Sequence, residues 1–533
     1  MCCRRATPSA CFEQRLLIAG VTIRVIRIAH CPHTVTHTSG IFNARTPSSP
    51  TVSDTVERMQ EHPWARPHRL LLYIILALAL ALRCQHLMDP AWDYHNWRQT
   101  ITLMVARDYS RRFDLLHPTL LWISNGAPAW FNAEFSVQSV IAAVLYRLTG
   151  ESDAVARLVV IAFSLAGIAW LYQLLRRRAG TLAAFLGALF LSVLPYSLFF
   201  GRVFMPEVPA MSLALGGLSI LDRWTDSRRT LDLIAAALLT SLAVLQKLTV
   251  VFVGLPLLYL FWQVYGRKIF GRREAYIFAA IALLPPLAWY SHAWHLGRNS
   301  DSAVMQPNLF GSGLQQWLHP AFAMPLFKAV ALEAFSPLAL ALVLVGFFWP
   351  ASDRATWLLR LWLIGAAGVL GLMPSALPPN HYYFTVLLPG GAGMMALALA
   401  RLTPDRRSWG LLAIVLCAVV ISAFRTTVQF FVPDRLPYEM GRYLNRVTAP
   451  TDLIVTETGG SPNVLYYADR RGWMLDRQYD PAVLERFCRA GAVWYADAFV
   501  NDATEHSEFF RALNARFQRT SPPDAPWRVY RLR

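Results

Sequence analysis

Residues 158–175 read LVVIAFSLAGIAWLYQLL, three arginines follow at Arg176, Arg177 and Arg178, and residues 182–200 read LAAFLGALFLSVLPYSLFF. Neither apolar run contains an Asp, Glu, Lys or Arg. A helix needs roughly 20 mostly apolar residues to cross a bilayer, so each run approaches one span, and the basic turn separates two. Similar runs recur at 70–82, 231–245 and 409–424. Across the 533 residues, 55% are hydrophobic and 16% charged, with a mean hydropathy of +0.35. That is too little charge to cover a soluble protein of this length. The chain reads as an α-helical polytopic membrane protein.

Lys and Arg outnumber Asp and Glu by 50 to 33, a net charge of +17. The basic residues gather just outside the apolar runs, which is the signature of membrane topology, and no nucleic-acid partner is expected. Seven cysteines are scattered without CxxC or Cys/His ligand spacing, so neither a disulfide framework nor a structural zinc site is indicated. No P-loop, GxGxxG turn or HExxH helix occurs in a suitable context, which argues against an ATP-driven pump and a zinc protease. No cofactor is expected, and no divalent metal is indicated.

Residues 1–58 are rich in Thr, Ser, Pro and Arg and differ from the rest of the chain. They read as a disordered extension, with translation starting at Met59. Residues 59–432 form the membrane domain. Placing Arg176–Arg178 inside requires the weak apolar stretch 135–148 to be an interfacial helix rather than a span. The same choice puts the basic segments 223–229, 267–273, 354 and 401–407 on that side. About eleven spans result, with loops at 89–153, 201–206, near Lys247, at 293–325 and at 374–381 on the outer face. From 433 the apolar runs stop, and 433–533 alternates strand-like and helix-like segments, the pattern of a small α/β domain outside the membrane.

Chemistry concentrates at the outer ends. The first loop carries Asp93, His95, Trp97 and Arg98, then Arg107. A carboxylate can take a proton from an acceptor hydroxyl, an arginine can clamp a phosphate, and a tryptophan face can stack on a sugar. The bland alternative is an aromatic belt with solvated charges. Arg202 and Glu207 bracket the next outer turn, where an ionisable residue at a span edge is a functional candidate; the alternative is a glutamate snorkelling to the interface. Lys247 interrupts an apolar stretch and would neutralise a phosphate or simply make a turn. His381, Tyr382 and Tyr383 enter a span from outside and offer polar and aromatic groups. Tyr466, Tyr467, Arg470 and Arg471 are acceptor contacts or a solvated turn.

The series Asp93-Tyr-His95-x-Trp97-Arg98-Gln, then Ala106-Arg107-Asp-Tyr, resembles the first-loop signature of the GT-C glycosyltransferases, in particular the dolichyl-phosphate-mannose protein mannosyltransferase and aminoarabinose transferase group. The likeness runs on through Ala133-Glu134-Phe135, Ala156-Arg157, Arg202…Pro206-Glu207, Lys247 and His381-Tyr-Tyr383, over roughly residues 65–500. The resemblance implies a polyprenyl-phosphate-sugar donor, a site facing the periplasm or exterior of a bacterial cytoplasmic membrane, and inverting displacement. It implies Asp93 as catalytic base, with Glu207 as second acid. Substrate contacts fall to His95, Trp97, Arg98, Arg107, Arg202, Lys247, His381, Tyr382 and Tyr383. Many relatives carry Asp-Glu in the first loop, whereas here Tyr94 and His95 follow Asp93. The acceptor is a lipid, a glycan or a protein. Rival readings are a flippase for lipid-linked saccharide, a membrane scaffold, and an O-antigen ligase or polymerase. A flippase predicts charges near mid-membrane and an internal repeat, a scaffold leaves the acidic and basic grouping unexplained, and a ligase relies on outer-loop arginines.

Overall fold

A computed structural model describes residues 17–18, 21–22, 68–298, 313–403, 405–500 and 506–533. Residues 1–55 and 56–533 form separate compact units. Of the first, a short antiparallel pair is described, Leu17–Ile18 with Val21–Thr22. The rest of the 1–58 extension, and Met59, lie outside the described residues.

The apolar runs form helices, because inside a bilayer every backbone polar group must be satisfied within its own segment. Asp153–Val193 covers 41 residues but is broken at Gly180, with φ 86° and ψ 177°. Glycine adopts that conformation without a Cβ penalty, so the two runs flanking Arg176–Arg178 become two helical segments joined at a basic turn. Among the described residues, five helices are long and apolar enough to cross a membrane. A sixth joins them if Pro320–Phe335 and Pro337–Phe348, bent by 96°, count as one. This is fewer than the eleven spans that the apolar runs predict. Segments such as His68–Arg83, with 16 residues, and Thr230–Gln246, with 17, fall short of that length. The stretch expected at the interface forms Val137–Thr149, 13 residues long.

Close helix crossings rest on small residues: a Cβ on Gly346 would lie 2.3 Å from the carbonyl oxygen of Met394. Charge fixes one end of the helix layer. Asp222 is fully buried and takes Arg178 at 2.8 Å, Arg177 at 3.2 Å and Arg354 at 3.7 Å. It sits near the end of helix Glu207–Ser227. Glu207 opens the same helix, roughly 22 Å away along the axis at 1.5 Å per residue.

The C-terminal segment forms strands and helices at Leu453–Glu457, Pro481–Arg489, Ala492–Asp497, Glu508–Arg516 and Arg528–Arg531. It adds a strand at Gly472–Leu475 and helices at Arg435–Val447 and Asn463–Ala468. The sheet has seven strands, and two of them come from the first loop. Thr119–Ser124 pairs in parallel with Gly472–Leu475 through Trp122 and Gly472, and its hairpin partner Ala127–Trp130 forms the sheet edge. Thr100 donates to Asn463 at 2.7 Å and the Asp434 amide to the Trp92 carbonyl at 2.6 Å. The loop that carries Asp93 is therefore held between the helix layer and the α/β segment.

Candidate active site

Three buried ion pairs meet where the first loop covers the helix ends. Asp93 lies in irregular chain, and such chain must satisfy its backbone carbonyls somewhere. Here Arg157 does so: its guanidinium donates to the carbonyls of His86 at 3.0 Å, Leu87 at 3.2 Å, Asp89, and Pro90 at 2.9 Å. The same group stands 3.9 Å from Asp93 Oδ2. Arg202, from the turn before helix Glu207–Ser227, is paired to that oxygen, and Gln99 donates to Oδ1 at 2.7 Å. Asp93 is 6% exposed and Arg202 fully buried.

The second pair is Glu207 with Lys247, whose Nζ lies 2.8 Å from Oε1. Lys247 sits at the C-terminal cap of Thr230–Gln246 and faces the rings of Tyr383 at 5.0 Å and Tyr382 at 5.5 Å. The third pair is Arg98, in helix Asn96–Arg112, with Glu134, from the turn after the hairpin. Burial raises the Glu134 carboxyl, but Arg98 and Lys247 outweigh it and hold the group below the usual carboxylate range. Arg98 also stands within electrostatic reach of Glu207 and Tyr382, which links the second and third pairs.

His95 connects these groups to a fourth. It caps helix Asn96–Arg112 in the left-handed region, φ 57°, a conformation uncommon outside glycine. Its ring meets Tyr382 edge-on at 5.0 Å, and its buried Nε2 has no hydrogen-bond partner. Burial, reinforced by His381 and opposed by Glu333, pushes the imidazole down to about 4, so it is neutral at pH 7. His381 lies 3.5 Å from Glu333, which accepts from the Tyr196 hydroxyl at 2.6 Å. Among the described residues no group of three His, Cys, Asp or Glu converges to hold a metal ion.

Residues 137–291 match the family model described as dolichyl-phosphate-mannose-protein mannosyltransferase. Among solved structures the chain resembles ArnT from Cupriavidus metallidurans bound to undecaprenyl phosphate, with a TM-score of 0.62 and 14% identity over 86% of this chain and 97% of that one. Archaeal oligosaccharyltransferase AglB from Archaeoglobus fulgidus, solved with an inhibitory peptide and a dolichol-phosphate, matches with a TM-score of 0.53 and 13% identity over 80% and 69%. Arabinofuranosyltransferase AftD from Mycobacteria gives 0.56 and 13% over 87% and 40%. The fold is that of the GT-C glycosyltransferases. No curated protein matches the sequence.

Within this GT-C fold, Asp93, His95, Arg98, Arg202, Glu207, Lys247, His381, Tyr382 and Tyr383 come together. Two residues do not join them. Trp97 is half-buried against the apolar core. Arg107 is bound to Glu151 at 2.9 Å, to Asp469 at 3.2 Å and to the carbonyl of Tyr466 at 2.8 Å, with its guanidinium over the Tyr466 ring. Sequence reasoning passed over Glu134 and Arg157 as site residues, although both stand in the motif series. It also passed over Glu333, whose signal is one acid alone in the apolar stretch 329–335.

Proposed function

We propose that the protein transfers a sugar from a polyprenyl-phosphate donor to an acceptor at the outer face of a bacterial cytoplasmic membrane. The C-terminal α/β segment lies on that same face. The observation that carries this reading is the charge balance of the buried cluster. Arg83, Arg98, Arg157, Arg202 and Lys247 supply five cations against Asp93, Glu134 and Glu207. Arg83 contributes without any carboxylate: its partners are Ser164, Ser197 and carbonyl oxygens, and it sits beside Gly201. A buried cluster with surplus positive charge at the end of an apolar helix layer suits an anionic phosphate on a lipid tail. The GT-C fold, and relatives solved with undecaprenyl phosphate and dolichol-phosphate, support the same donor class.

In this reading the donor phosphate attracts Arg202, and Asp93 is released to accept the acceptor's hydroxyl proton. The acceptor oxygen attacks the anomeric carbon from the opposite face, and the carbon–oxygen bond to phosphate breaks with inversion. The phosphate leaves as an anion held by Lys247 and Arg98. Glu207 keeps Lys247 in place, and His95 Nε2 is free to bond a sugar hydroxyl. The test is sugar release by the purified chain from polyprenyl-phosphate hexose and pentose donors. Consumption by wild type and its loss in Glu207→Gln support the reading. A well-folded wild type that consumes none of these donors overturns it.

A further inference from the structure

Two cavities lie on the seam between the first loop and the C-terminal segment, away from the three ion pairs. One, of about 520 Å³, runs between helix Asn96–Arg112, strand Thr119–Ser124 and residues 450–453. The other, of about 380 Å³, runs between Met88, Pro90, Glu151–Ala154 and helix Arg435–Val447. Arg107 and Asp469 line both, and their 3.2 Å ion pair is the partition. The volumes fall in the range of small-ligand sites. The walls are rigid, because the strands on either side share one sheet and Tyr466 donates to Asp153 at 2.6 Å.

Charge decides what such a groove accepts. Its arginines are Arg107, Arg111, Arg112, Arg442 and Arg471, and its acids are Asp108, Glu151, Asp153, Asp452 and Asp469. Five cations and five anions cancel. Most are already paired with one another: Arg111 with Asp469 across the seam at 2.9 Å, Arg112 with Asp108 on the same helix at 2.7 Å, and Arg107 with Glu151 at 2.9 Å. A neutral lining of alternating donors and acceptors matches sugar hydroxyls, each of which donates and accepts. Tyr438, half-buried and edge-on to Tyr467 at 4.9 Å, adds a ring for the apolar face of a pyranose. The second cavity ends at the catalytic loop, where the Ala91 amide donates to Asp153 at 3.0 Å, two residues before Asp93.

We infer that this groove binds an uncharged oligosaccharide, the glycan acceptor of the transfer. The inference rests on the transferase reading and names its acceptor class. Arg107 is then a wall of the acceptor groove rather than a donor ligand.

The full chain in lipid nanodiscs is titrated against a panel of neutral and acidic oligosaccharides from two to seven residues, including maltotetraose, chitotetraose and trigalacturonate. Saturable binding of a neutral member, weakened at least tenfold by Tyr438→Ala and by the exposed substitution Arg442→Ala, is expected. Variant melting temperatures are compared with wild type, and Arg442→Ala keeps the test valid if Tyr438→Ala folds poorly. Binding of no member, binding unmoved by Arg442→Ala, or preference for trigalacturonate overturns the inference. Donor consumption is measured separately on the same preparation, so failure of the transferase reading shows in that assay and not in the titration.

Discussion

Replacing Asp93 by Asn removes one charge and adds one badly placed donor. Asp93 Oδ2 faces Arg202 and Oδ1 faces the Gln99 amide nitrogen at 2.7 Å. In the Asp93→Asn variant the new NH2 must take one of those positions, and opposing a guanidinium is the worse choice. It therefore meets Gln99, whose amide must rotate and give up its 3.0 Å bond to the Tyr94 carbonyl. One buried hydrogen bond is lost, at about 1–3 kcal/mol. The larger cost is electrostatic. Arg202 is fully buried and loses its carboxylate, while Arg157 keeps its carbonyl partners. Breaking a buried pair costs about 3–5 kcal/mol. If Asp93 is the base, turnover falls about 100- to 10,000-fold. Adding Arg202→Met removes the stranded cation, so the double variant recovers most of the melting temperature but none of the turnover. The assays are thermal unfolding and sugar release on the same samples. Turnover of Asp93→Asn near wild type, or restored in the double variant, refutes the reasoning.

Three further outcomes are expected. Lys247→Met strands Glu207, which is 3% exposed, and costs about 3–5 kcal/mol; adding Glu207→Gln recovers most of it in unfolding experiments, and a double variant as unstable as the single one contradicts the pairing. Gly472→Ala sets a Cβ 1.7 Å from the backbone oxygen of Ile454, which cannot yield. Hydrogen exchange of residues 119–130 and 472–475 should rise sharply while helix Glu207–Ser227 stays protected, and unchanged exchange at the seam removes the shared sheet. Burial pushes the Asp497 carboxyl up to about 6. A raised acid favours the folded state when protonated, so its contribution is full below the ordinary carboxylate range and is lost as pH rises through 6. The loss is about 3 kcal/mol. Protection of Ala492–Asp497, corrected for intrinsic exchange rates, should fall between pH 4 and pH 7 in wild type and stay level in Asp497→Asn; equal falls in both contradict the assignment.

Part of the candidate site was legible because Arg202, Glu207 and Lys247 are ionisable residues at the edge of apolar runs, where they are costly to place without a purpose. Asp93 stands out by its company in the first loop, with His95, Trp97 and Arg98 close by in the chain. Glu134 and Arg157 were harder to see. Glu134 follows a strand-like stretch where an acid is unremarkable, and Arg157 sits one turn inside a helix, where it reads as a flanking basic residue. Their partners are distant in sequence: Arg98 for Glu134, and the carbonyls of residues 86–90 for Arg157. Arg107 was misleading for the same reason, since Asp469 lies more than 350 residues away along the chain.

The helical membrane class, the alternating pattern of the C-terminal segment and the resemblance to GT-C transferases were all readable from the chain alone. These follow from local patterns: apolar run length, basic flanks, and alternation of strand-like and helix-like segments. Tertiary structure decided which charges are paired, how the first loop completes the C-terminal sheet, and which residues face the groove beside it. The pairing Trp122↔Gly472 joins segments 350 positions apart. No periodicity in either segment encodes such a partner, because strand pairing depends on the register that the whole fold imposes.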